Sequence, residues 1–105
     1  MSGFTLSGRG LERVQAVAPA TGNTVVVSAG TTALLLSPAG TLATLTITLP
    51  SSPVNGQALV IATSQALTAL TVNGGTIVGT LTTLALGGFA YFVYDSATSK
   101  WFRCG

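Results

Sequence analysis

The 105 residues carry only six charged side chains, Arg9, Glu12, Arg13, Asp95, Lys100 and Arg103. There is no histidine, so the commonest general base and metal ligand is missing. Glu12 and Asp95 stand far apart with no second acid near either, and Asp95 opens an Asp-Ser-Ala-Thr-Ser stretch where an aspartate bonds its own backbone in a turn. One cysteine, Cys104, cannot build a zinc site or an internal disulfide. It is read as a terminal thiol, with an interchain bridge near a symmetry axis as the alternative. A nucleophilic serine would need a base, and Lys100 is the only lysine. Gly74-Gly75 lies between two strand-like runs and so provides no helix N-terminus for phosphate. Ser7-Gly8-Arg9-Gly10 carries one arginine and reads as a leader. Lys100-Trp101-Phe102-Arg103 could stack a base or a sugar, but a hydrophobic strand with solvated ends explains it as well. The expectation is a protein that is not an enzyme and takes no cofactor or metal.

With catalysis set aside, composition points to packing. Of the residues 48% are hydrophobic and 6% charged, against about 25% charged in an ordinary soluble domain. Positions 14 to 94 carry no charge. That leaves too little polar surface to coat a lone monomer, and burying apolar surface between chains is the simplest remedy. The longest uninterrupted apolar runs, such as Ala33 to Leu36, fall far short of the roughly 20 residues of a membrane-spanning helix. The N-terminus lacks the basic start and apolar core of a signal peptide. Four scattered basic residues make no stripe for a nucleic-acid backbone. Neither a membrane nor a nucleic acid is therefore expected as a partner.

The elements that must position these residues are strands. In Leu42-Ala43-Thr44-Leu45-Thr46-Ile47-Thr48-Leu49 the threonines at 44, 46 and 48 alternate with apolar residues, the pattern of a strand buried on one face. About one residue in six is threonine, β-branched and suited to a pleated surface. Turn signals at Ala20–Asn23, Ser37–Gly40, Pro50–Gly56, Asn73–Gly75, Gly87-Gly88 and Asp95–Ser99 bound further strands. These are expected over 24–28, 32–36, 57–62, 66–72, 76–79, 82–86, 89–94 and 100–103. Leu11 to Val17 is the one stretch that could be a helix, and it reads equally well as a strand. The fold expected is all-β, with short antiparallel strands in a compact sandwich, barrel or prism. Residues 1–20 are expected to form an N-terminal arm or leader and 21–105 a single β domain.

Leu42-Ala43-Thr44-Leu45-Thr46 and Leu67-Thr68-Ala69-Leu70-Thr71 echo each other 25 residues apart, short of the three repeats that define a solenoid. The C-terminal hairpin is the most informative element. Phe89-Ala90-Tyr91-Phe92-Val93-Tyr94 is apolar on both faces, and strands of that kind are usually covered on both. Phe89, Tyr91, Phe92, Val93, Tyr94, Trp101 and Phe102 are accordingly the subunit-interface candidates.

The second half resembles small virion proteins of tailed bacteriophages, of the head-fibre, capsid-decoration (cement) and tail-fibre type. The resemblance rests on Leu49-Pro50-Ser51-Ser52-Pro53-Val54-Asn55-Gly56-Gln57, Ala69 to Gly79, Leu86-Gly87-Gly88, Tyr91 to Asp95 and Ser99 to Arg103. It spans about half the chain, and the first 40 residues carry none of it. It implies a β-rich protein completed as a homotrimer. The function it implies is a decoration or head-fibre protein on the capsid surface, made in the host cytoplasm, that binds and stabilises the major capsid protein shell. Phe4, Arg9, Glu12 and Arg13 would then be the capsid-contact candidates. The alternative is a tail-fibre or tail-spike module that binds host glycan through Tyr91, Tyr94 or Trp101.

Overall fold

The computed structural model describes residues 13–105. Nine strands follow one another: β1 (Val14–Val17), β2 (Thr24–Val26), β3 (Ala33–Leu36), β4 (Leu42–Thr48), β5 (Ala58–Thr63), β6 (Leu67–Asn73), β7 (Thr76–Val78), β8 (Phe89–Asp95) and β9 (Lys100–Arg103). The described residues contain no helix, and none is therefore long and apolar enough to cross a membrane. The class is all-β, as expected.

Strand order departs from the expected antiparallel layout. From β1 to β6 the chain passes back and forth between a six-stranded sheet, ordered β1-β3-β5-β8-β9-β7, and a three-stranded one, ordered β2-β4-β6. Each strand therefore lies parallel to the one two elements earlier, as in a β-solenoid of three rungs. The short turns that read as hairpin ends are corners between sheets. Alternation of period two reports which face is buried but not which way the neighbouring strand runs. Among the nine strands, antiparallel pairing enters with β8, which joins β5, and with the β8–β9 hairpin; β7 runs parallel to β9.

The 25-residue echo is the solenoid repeat itself. Leu42 lies beside Leu67, Leu45 beside Leu70 and Thr46 beside Thr71. Both strands bury the two leucines and expose the two residues between them, so the same bend is stacked in successive rungs. Val14, inside the stretch expected as an arm, starts a strand that pairs with β3 in full register.

Inward side chains form the core between the sheets. Leu34 sits beside Ile61 and Ile61 beside Ala90, while Val25 sits beside Ile47 and Ile47 beside Val72. Leu34, Ile47, Leu59, Ile61, Leu67 and Phe92 are completely enclosed. Each such aliphatic or aromatic side chain contributes about 1.5–3 kcal/mol on burial. Trp101, 1% exposed, closes the core beneath β9 and packs against Tyr94 with ring centroids 5.2 Å apart. At the Asn73-Gly74-Gly75 turn only glycine fits at position 74. Its φ is +86°, and a Cβ there would lie 2.9 Å from the Leu49 nitrogen and from Thr48 Cγ2.

Both edges at one end of the stack are closed. β8 lies along β5, and the segment around Leu84 lies antiparallel along β6, with Leu84 N–H donating to Leu67 O and Leu70 N–H to Thr82 O. The stretch expected as a strand over 82–86 is reduced to that bridge. Among the described residues no strand lies on the outer edge of β1 or of β2.

Candidate interaction surface

Because successive side chains on a strand point to opposite faces, the register fixes what the six-stranded sheet shows to the outside. Val14, Ala33, Val60 and Tyr91 form one row across β1, β3, β5 and β8. Ala16, Leu35, Ala62 and Phe89 form the next. Ala58, Val93, Phe102 and Val78 form a third across β5, β8, β9 and β7. Only the Tyr91 hydroxyl interrupts twelve otherwise apolar side chains. Phe89 is 61% exposed, Val14 62%, Val78 42% and Leu35 40%. A contiguous apolar sheet face open to water is the mark of a surface that packs against something.

Polar groups gather at one end of this face. Asp95 lies opposite Lys100, and Lys100 opposite Thr76. The Asp95 carboxylate is engaged locally: Oδ2 accepts from Thr98 Oγ1 at 2.8 Å and Oδ1 from the Ala97 N–H at 3.3 Å. Asp95 thus holds the β8–β9 turn, and the Asn55 side chain ties that turn to the 50–56 loop by accepting from Ser96 N–H at 3.0 Å. Arg103 is likewise used by its own chain, donating to Thr80 O and Gly105 O. Cys104 is exposed, its N–H donating to Tyr91 O at 2.7 Å. Among the described residues no three His, Cys, Asp or Glu side chains come together.

The hairpin residues singled out from sequence divide between the two faces of their strands. Phe89, Tyr91, Val93 and Phe102 point outward onto the apolar face. Phe92 and Trp101, at 0% and 1% exposure, belong to the chain's own core and have no surface to present to a neighbour. Tyr94 is half-buried against that core. Tyr91, Tyr94 and Trp101 consequently make no shared exposed aromatic platform. Phe4, Arg9 and Glu12 lie outside the described residues. Arg13 is exposed at the start of β1, where its backbone N–H donates to Thr32 Oγ1 at 2.9 Å.

Sequence reasoning passed over the part of the face that β1, β3, β5 and β7 supply: Val14, Leu35, Val60 and Val78. The signal was present. Ala33-Leu34-Leu35-Leu36 and Ala58-Leu59-Val60-Ile61-Ala62 are apolar at both parities, as the hairpin strand is.

Compared with known proteins, the chain matches no family model, no curated protein and no solved structure.

Proposed function

We propose that this protein is a structural subunit that works by packing against other chains, and that its outer apolar sheet face is where a copy of itself docks. The observation that carries the reading is the apolar face of the six-stranded sheet, three rows interrupted only by the Tyr91 hydroxyl. An apolar face of this kind, on a chain without charges over 14–94, is stabilised by a like surface and opposed by water. The resemblance of the second half to tailed-phage virion proteins supplies the setting: a homotrimeric decoration, cement or head-fibre protein that grips the major capsid protein and stabilises the shell. Such a protein acts by occupancy, without turnover. The glycan-binding alternative has less support, since Trp101 is enclosed.

Light scattering after size exclusion tests self-association. The expected result is a trimer that dissociates on placing opposite charges on the face with Leu35→Glu and Phe89→Lys. A stable monomer of the unaltered chain overturns the self-association reading. The virion setting is tested separately, by adding the purified protein to phage shells stripped of accessory proteins. Saturable binding in hundreds of copies per particle is expected, and absence of binding removes the capsid role.

A further inference from the structure

The end of the solenoid formed by β1 and β2 differs from the other end in having both strand edges unpaired among the described residues. Between them lies a groove of about 410 Å³ lined by Gln15, Val17, Pro19, Asn23, Val25 and their neighbours. One side chain reaches across it. Gln15 Nε2 donates to Val26 O at 3.0 Å, and Gln15 Oε1 accepts from the Ser28 N–H at 2.8 Å. A residue on an adjacent parallel strand bonds in the same way, donating to the carbonyl before its partner and accepting from the N–H after it. The carboxamide of Gln15 therefore occupies the place of a peptide group opposite Val27. Thr31 Oγ1, at 3.5 Å from Oε1, steadies it.

We propose that this end is a strand-addition surface for a second copy of the chain, and that Gln15 is the cap holding it shut. Among the described residues, no group takes up the outward backbone groups of β1 and of the first part of β2. Asn23 O and Val27 N–H are used by β4, so alternation turns the N–H of Thr24 to the free edge. A second copy fits because one two-fold axis across the stack brings β1 to β1 and β2 to β2, antiparallel and simultaneously, an isologous contact that closes on itself. Between positions 14 and 94 there is no charge, so no like charges oppose each other along the paired strands. Arg13 and its symmetry mate would fall at opposite ends of the β1 pair. Proteins commonly guard such an edge with a side chain or a covering segment, and a carboxamide that satisfies Val26 and Ser28 in place of a neighbour does so reversibly.

The test is the mass of Gln15→Ala, measured by sedimentation over a range of concentrations beside the unaltered chain. Removing the cap is expected to at least double the particle mass, increasingly so at higher concentration. Adding Thr24→Pro, which deletes the free donor on β2 and is tolerated on an edge, is expected to restore the parent mass. If Gln15→Ala does not fold, Gln15→Leu keeps the volume while removing both polar groups, and the same increase is expected of it. A folded Gln15 variant that keeps the parent mass overturns the proposal, as does growth that Thr24→Pro fails to reverse. Repeating the measurement with Leu35→Glu and Phe89→Lys present separates this end from the sheet face: pairing through the end, now as a dimer, is expected to survive there.

Discussion

The two sheets enclose one core but show water opposite characters. Outward from the three-stranded sheet point Thr24, Thr46 and Thr71 in one row, with Val26, Thr48 and Asn73 in the next. Thr48 Oγ1 donates to Asn73 Oδ1 at 2.9 Å across the rungs. Outward from the six-stranded sheet point alanine, valine, leucine, phenylalanine and one tyrosine. Threonine gives a strand the β-branched shape that suits a pleat while its hydroxyl remains solvated. One face is largely polar and the other almost wholly apolar. The division arises from a simple difference in side-chain pattern: β4 alternates polar and apolar, whereas β3 and β5 are apolar at both parities. That second pattern is usual in strands covered on both faces, whereas here Leu35 on the outer face of β3 is 40% exposed.

Substitutions on the two faces and in the core between them probe this contrast. The largest loss of stability is expected from Trp101→Ala, about 3–5 kcal/mol for removal of a fully enclosed aromatic, read from urea denaturation. Phe89→Ala, on the same hairpin but outward, should leave the monomeric fold within about 0.5 kcal/mol; equal losses for the two would mean that the hairpin faces are misassigned. Next comes the effect on the proposed self-association: a single Phe89→Lys should lower the mass found by light scattering towards that of a monomer, while Thr46→Lys on the threonine face should not. If both substitutions dissociate the oligomer, the contrast between faces is void. Gly74→Ala should cost more than about 1 kcal/mol, because alanine is strained at positive φ and its methyl meets the Thr48–Leu49 backbone; calorimetry would register an unchanged midpoint if the turn can yield. The smallest effect is expected from Thr48→Val, about 0.5–1 kcal/mol for an exposed rung-to-rung hydrogen bond. Pairing it with Asn73→Ala in a double-mutant cycle isolates that bond, and strict additivity would show that it contributes nothing.

Much of the strand pattern was legible from residues alone. The alternation marked β4 and, from Thr44 to Leu49, its buried face; Ala43, which the alternation puts on that face, is exposed and Leu42 is buried, because the strand bends there. The Asp95–Ser99 turn marked the β8–β9 hairpin. Direction was not legible, because a parallel neighbour and an antiparallel one impose the same period-two pattern. The strongest clue to it was the Leu-x-x-Leu-Thr echo, whose 25-residue spacing proves to be one circuit of the chain. Other circuits are harder to see, since Val14 pairs with Ala33 and Ala33 with Val60 with no shared motif to flag them. For the outer apolar face, aromatic residues drew attention to β8 and β9, but half of the hairpin's aromatics serve the core. The aliphatic remainder became visible only once register aligned short strands distant in sequence. Gln15 offered no signal, since its role depends on β2 crossing above it.

Placing β8 against β5 has a consequence for how the chain tolerates truncation. All three rungs lie N-terminal to Phe89–Asp95, so a chain cut short before the hairpin keeps every rung but leaves the edge of β5 bare and the core without Phe92 and Trp101. Such a fragment would carry a sticky margin where the longer chain has a seal.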